Sequence, residues 1–238
     1  MKHLFLPLLG FLICLTIQAQ EPDSTKKSNE FQFTTVKALP ITSVKNQSSS
    51  GTCWSFSMIG FIEAELLRQG KGEHDLSEMF VVHKNYEDKA RKYVRMMGKI
   101  NFAAGGSFDD VLACIKEYGI VPDEIQTGLY YGEEKHRHGE MDRILEKTMD
   151  VVVSNPNKKL STAWYNAVVG ILDAYLGKCP EQFTYQGKTY TPQTYAQSLG
   201  LNWDDYVSIT SFTHHPFYTA FPLEIPDNWR WSSSFNVP

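Results

Sequence analysis

The stretch NQSSSGTCWSFS, residues 46–57, joins a loop of small residues to the start of an apolar helix. Apolar residues recur at helical spacing from Trp54 to Leu67, which predicts a helix that is buried on several sides and ends near Gly70. Cys53 therefore begins this helix, where unpaired backbone N–H groups and the helix dipole favour a thiolate. The position is typical of a nucleophile, although cysteine is also among the residues most often buried as a small hydrophobe.

The loop before Cys53 carries a second candidate for the same site. Thiolate attack on an amide forms an oxyanion, which the Cys53 backbone N–H and a side-chain amide could stabilise together. Gln47 lies six residues upstream across a loop of small residues, and Gly51 gives the backbone freedom to fold Gln47 back over Cys53. The sequence therefore predicts Gln47 as the oxyanion donor.

The composition indicates a globular protein. The chain has 238 residues, of which 42% are hydrophobic, and its 23 basic and 27 acidic residues give a formal net charge of −4. The two signs are mixed along the chain, so no basic stripe is present to follow a phosphate backbone. Nucleic acid is therefore not an expected partner.

The N-terminus resembles a secretory signal peptide over residues 1–19. Lys2 precedes an apolar run over residues 4–17, and Ala19 suits the last position before cleavage. A transmembrane anchor is the alternative, but the run is shorter than the roughly 20 apolar residues that a span needs. We therefore expect a secreted or periplasmic protein without a stable membrane span, whose polar residues 20–35 form a flexible tether.

The cysteines and histidines do not predict a metal or cofactor site. Removing the leader would leave an odd number of cysteines, and their wide spacing excludes a CxxC redox or zinc motif. His136 and His138 lie in EEKHRHGE, a charged stretch that we expect at the surface, and each is expected to be solvated or structural. Adjacent histidines such as His214 and His215 cannot easily face one ion, so binding of a metal through HRH or HH is a weak alternative.

Local signals predict a helical chain that ends in a strand-like region. Ser77 is the expected N-cap of a second helix, and Gly119 is the expected stop of a third. Two amphipathic helices are predicted between residues 133 and 176. A hairpin with Gln186-Gly187 at its tip follows, then a helix that begins at Pro192, and then an irregular aromatic tail.

Three segments in the same order resemble papain-like cysteine peptidases. NQSSSGTCWSFS is similar to the active-site segment of that family, LSEMFVV to a helix start, and AAGGSFDDVLACIKEYGI to its Gly-Gly substrate loop and following helix. Ser50 stands where secreted papains usually have a disulfide cysteine. That serine, a long helical stretch after Glu133 and the segment TPQTYAQSLGLNWDDYVSIT resemble the bleomycin hydrolase and aminopeptidase C branch.

The resemblance implies an α+β papain-like fold. It assigns residues 36–132 to the helical N-terminal (left) domain, 133–180 to a helical insert, and 181–238 to a hairpin and an incomplete start of the β-rich domain. It also implies that Cys53 is the nucleophile, Gln47 the oxyanion donor, and Gly105 and Gly106 the substrate-binding backbone. Peptide substrates, aminopeptidase activity and a homo-hexamer are the implied function and assembly.

A cysteine peptidase of this kind also needs a histidine base and an asparagine or aspartate to orient it. His214 and His215 are the candidates by position, and Asn228-Trp229 follows them, but two prolines interrupt the strand that the family places there. We therefore expect the chain to be the N-terminal portion of a longer enzyme, with little or no turnover by itself. The alternative is an inactive papain-like module that binds extended peptides.

Overall fold

The computed structural model describes Phe31 and residues 33–238. The predicted signal peptide and residues 20–30 and 32 of the predicted tether lie outside these residues. The chain divides into two units, Met1–Ala38 and Leu39–Pro238, and residues 33–38 form no helix or strand. Within the described residues, no helix has both the length and the apolar character needed to cross a membrane.

Helices are the main regular elements of the second unit. They are α1 Cys53–Arg68, α2 Glu78–Arg95, α3 Phe108–Tyr118, α4 Gly139–Ser154, α5 Trp164–Leu176 and α6 Pro192–Ser198. The predicted boundary signals are confirmed. Ser77 caps α2, because its hydroxyl accepts a hydrogen bond from the Phe80 backbone N–H at 2.9 Å. Gly119 ends α3 with a φ of 84°, and Pro192 opens α6.

The strands form two small sheets. The predicted hairpin pairs β1 Phe183–Tyr185 with β2 Lys188–Tyr190, and both tip residues, Gln186 and Gly187, have positive φ. The tail forms β3 Ile209–Thr210, β4 Ala220–Pro222 and β5 Ser233–Asn236, in the order β3-β5-β4. Because β4 is an edge strand, the missing N–H of its proline leaves no central ladder position unpaired.

One hydrophobic core joins the helices. Ile59, Ile62 and Leu66 of α1 are fully buried against α2 and α3, while Leu145 of α4 and Leu172 of α5 bury against α2. The helices of the predicted insert therefore share a core with the helices that precede them. This packing holds α1 firmly, and with it the position of Cys53.

Gly119 is a position where the packing requires glycine. Its φ is 84°, and an added Cβ would overlap the backbone of Pro192. We expect Gly119→Ala to lower the free energy of unfolding by more than about 2 kcal/mol. Gly70→Ala is the matched control, because Gly70 has a φ of 69° with open space around it and should lose only about 1 kcal/mol. Equal losses in urea unfolding would contradict the overlap.

Candidate active site

Cys53 is the first residue of α1 and is exposed. The N-cap residue Thr52 makes no side-chain hydrogen bond to the helix, and the first turn has no acidic residue. Among the described residues, the Cys53 and Trp54 backbone N–H groups have no hydrogen-bond partner. The helix terminus therefore keeps donors free beside the thiol, which suits a thiolate or an oxyanion.

Gln47 folds back along the loop before the cysteine. Its Nε2 donates to the Ser50 carbonyl oxygen at 2.6 Å, and the Ser50 hydroxyl donates to the Gln47 carbonyl oxygen at 2.9 Å. Gln47 lies in a groove that shares Ser57 with the cavity in front of Cys53. This bond uses one of the two Nε2 hydrogens, so the role of Gln47 as oxyanion donor stays a prediction.

A cleft of about 350 Å³ opens in front of Cys53. Gly106 lies on its wall, and the buried Trp54 packs beneath, where its Nε1 donates to the Ala104 carbonyl oxygen at 3.0 Å. A Cβ on Gly106 would lie 2.8 Å from the Trp54 ring, and one on Gly105 would overlap the Asp227 carboxylate. Close packing on the inside of the loop is therefore an additional reason for glycine here, alongside the predicted approach of a peptide.

The opposite wall of the cleft comes from the strand-like tail. It includes Ser208, Ile209, Leu223, Ile225, Asn228 and Ser232. Asn228 is buried and braces its own loop, since its Nδ2 donates to the carbonyl oxygens of Leu223 and Ser232 at 2.9 Å each. The next residue, Trp229, donates from Nε1 to Asp110 at 3.0 Å. The structure thus gives Asn228-Trp229 structural contacts that hold the tail against α3.

None of the described histidines lines this cleft. The ring of His215 stacks on Phe221 at 3.7 Å, and His214 is exposed beside it. His83 is buried between Glu87, 3.0 Å from its Nδ1, and Asp173, 2.9 Å from its Nε2. Burial would lower the pKa of His83, but these hydrogen bonds raise it well above the usual value.

The expected surface position of EEKHRHGE is wrong for its second histidine. His138 is only 1% exposed, and burial lowers its pKa to about 4. The backbone of this stretch pairs with the loop before the nucleophile: the Ser49 N–H donates to the His136 carbonyl oxygen at 2.9 Å, and the His138 N–H donates to the Ser49 carbonyl oxygen at 3.2 Å. Charge patterning could not reveal a pairing across so long a stretch of chain.

The cysteines at 53, 114 and 179 form no disulfide in the described structure. Cys114 is buried in α3, and burial raises the pKa of its thiol. Cys179 lies with His83 and Glu87, and their potential ligand atoms are within 4.8 Å of one another. However, both His83 nitrogens already bond to carboxylates, and Lys84 donates to Glu87 at 2.9 Å, so this cluster is an ion-pair network as it stands.

An exposed thiol at a helix N-terminus, with free amides beside it and a cleft in front, is suited to attack on a carbonyl group. An α+β fold with a site of this kind is typical of the class of proteins that use a cysteine nucleophile. A family model described as papain family cysteine protease matches residues 28–202. The chain belongs to this family, which confirms the resemblance of the sequence and the expected papain-like fold.

A comparison with solved structures agrees on the fold. The crystal structure of PepW from Lactobacillus rhamnosis HN001 matches with a TM-score of 0.60 and 22% sequence identity, over 84% of this chain and 54% of PepW. The chain therefore spans about half the length of that protein. No curated protein sequence matches this chain significantly.

Proposed function

We propose that the chain provides the nucleophile half of a cysteine peptidase, in which the Cys53 thiolate attacks the peptide carbonyl. The observation that carries the proposal is the exposed Cys53 at an uncapped helix N-terminus, facing the cleft that Gly106 lines. Gln47 and the Cys53 backbone N–H would hold the oxyanion, and Gly105 and Gly106 would bind the substrate backbone. Membership of the papain family supports this assignment.

Alkylation at low pH tests the nucleophile. Iodoacetamide near pH 6 should modify Cys53 at least about tenfold faster than a free cysteine in an unfolded peptide, because an activated thiolate reacts where a thiol does not. Site-resolved mass spectrometry separates Cys53 from the buried Cys114, which serves as an internal control that should stay unmodified. A Cys53 that reacts no faster than the unfolded peptide, even in the reading frame expressed with the coding sequence that follows Pro238, would favour the alternative, an inactive module that binds extended peptides.

We further propose that the histidine base comes from outside these 238 residues. The support is that no described histidine lines the Cys53 cleft and that Asn228 is occupied as a brace of its own loop. Residues 20–238 should then show little or no peptide hydrolysis. Turnover that Cys53→Ala abolishes would overturn this part of the proposal, and His214→Ala and His215→Ala would then identify the base.

The finer assignment is an aminopeptidase of the bleomycin hydrolase type, secreted or periplasmic and assembled as a homo-hexamer. It rests on the sequence resemblance, and the fold shared with PepW is consistent with it. The test is to express the open reading frame with whatever coding sequence follows Pro238, and to compare peptides with free and with acetylated N-termini. Equal cleavage of both peptides would indicate an endopeptidase instead.

A further inference from the structure

Lys89 on α2 is a deeply buried lysine, only 1% exposed. Its Nζ donates hydrogen bonds to the carbonyl oxygen of Ala103 at 2.7 Å and to that of Gly105 at 2.6 Å. All of its hydrogen bonds to described residues go to main-chain carbonyl groups. Burying an ammonium group is costly, and these two charge-assisted hydrogen bonds offset that cost. They place Lys89 beneath residues 103–106, which we call the glycine loop.

The glycine loop is anchored from its inner side at three successive carbonyl groups. Lys89 holds those of Ala103 and Gly105, and Trp54 Nε1 holds that of Ala104 between them. The next residue, Gly106, has no hydrogen bond to any described residue at its N–H or its C=O. Gly106 also lines the cleft in front of Cys53, so the free backbone edge begins where the anchors end.

We propose that Lys89 is a positioning residue for peptide binding, whose ammonium holds the loop so that Gly106 presents its free N–H and C=O to an extended peptide in the Cys53 cleft. The inference rests on the proposed function, because it assumes that the cleft receives a peptide. Its physical basis is that backbone pairing requires a preorganised edge. A loop released from one side would have to be ordered again at each binding event.

The surroundings of Lys89 make this anchor sensitive to alkaline pH. Burial is the main cause that lowers the pKa of Lys89 to about 8, so its charge is lost above that pH. A neutral amine is a weaker donor than an ammonium. The groups that face it from the packed elements are Tyr86 on α2, Asp110 on α3, Asp142 on α4, and Asp227, Trp229 and Arg230 in the tail.

Two thiol reagents separate the loop from the nucleophile. A dipeptidyl epoxysuccinate needs both backbone recognition and Cys53, whereas iodoacetamide needs only Cys53. We expect Lys89→Met to slow Cys53 labelling by the peptidyl reagent about tenfold, as for the loss of a charge-assisted hydrogen bond, while the iodoacetamide rate changes by less than about twofold. Lys92→Met is the matched control. Lys92 is also on α2, but its Nζ lies over the Trp231 ring, 3.7 Å from the ring centre, rather than beneath the loop that carries Gly106.

The pH profile of the unaltered chain gives a second test that needs no variant. The ratio of the two labelling rates cancels the ionisation of Cys53, and we expect this ratio to fall between pH 7 and pH 9.5. A flat ratio, or a ratio in Lys89→Met equal to that of the unaltered chain, would overturn the inference. If the unaltered chain itself shows no preference for the peptidyl reagent over a reagent of the same warhead without the peptide, the proposed peptide binding fails instead.

Discussion

Replacing Lys45 by methionine is expected to lower the free energy of unfolding by about 3 kcal/mol at pH 8, as when one partner of a buried ion pair is removed. Lys45 Nζ lies 3.0 Å from Glu63, 3.0 Å from Glu78 and 2.6 Å from Asp75. The side chains of Glu63 and Glu78 are 1% and 4% exposed. The substitution would leave two buried carboxylates without their cation.

The cost of this substitution should depend on pH. Burial raises the pKa of Glu78 to about 7, even with Lys45 opposing that rise, so Glu78 can take up a proton when the cation is removed. The loss should therefore be smaller at pH 5 than at pH 8. Urea unfolding of the chain at the two pH values measures the difference.

Two further variants make this prediction specific. Adding Glu78→Gln to Lys45→Met should recover part of the lost stability at pH 8, because it removes one of the stranded charges. Lys116→Met is the matched control, since the Lys116–Asp204 pair is exposed on both sides and should cost less than about 1 kcal/mol. If Lys45→Met lost as little stability as the control, the ion pairs of Lys45 with Glu63, Asp75 and Glu78 would not stabilise the segment that precedes Cys53.

Replacing His138 by phenylalanine is expected to change the response of stability to acid. The folded pKa of about 4 lies below the ordinary value of 6.5, so the unfolded chain binds more protons between these values. Stability from the neutral imidazole is therefore present above pH 6.5 and lost as the pH falls towards 4. The gap corresponds to about 3 kcal/mol, as an order of magnitude.

The measurement is the difference in unfolding free energy between His138→Phe and the unaltered chain at several pH values. This difference should move by about 2 kcal/mol in favour of the variant between pH 7 and pH 5. The contribution of His83 to stability depends on pH in the opposite direction. Its raised pKa gives stability that is present below pH 6.5 and is lost as the pH rises through the pKa of the folded state. The exposed His214→Phe is the control, and an equal pH response in both variants would contradict the prediction.

The amino-acid sequence was sufficient to predict the local structure around Cys53. The start of α2 and the end of α3 depend on residues at the boundary itself, the Ser77 hydroxyl that caps α2 and Gly119 that ends α3. The position of Cys53 on the first turn of α1 follows from the same local signals. Papain family membership was also visible in short motifs that occur in the family's order. Together these motifs combine glycines and small residues that the backbone conformation requires with residues that the chemistry requires.

The contacts that support the site could not be predicted from local sequence patterns. The charged stretch around His138 pairs with Ser49, and the buried Lys89 reaches the carbonyl groups of Ala103 and Gly105 from α2. In the sequence, Lys89 looks like an ordinary charged residue of an amphipathic helix. Its burial depends on how α2, α3, α4 and the tail pack around it.

The sequence by itself therefore determined the papain-like fold and the position of Cys53 at its helix start, while the roles of Cys53 as nucleophile and of Gly105 and Gly106 in substrate binding stay predictions. Only the tertiary structure decided which polar groups are buried, which carbonyls of the glycine loop point inward, and which histidines stay away from the cleft. The physical reason is the distance along the chain over which each kind of interaction acts. Caps, turns and helical periodicity act over a few neighbouring residues, whereas desolvation and ion pairing depend on every element that packs around a group.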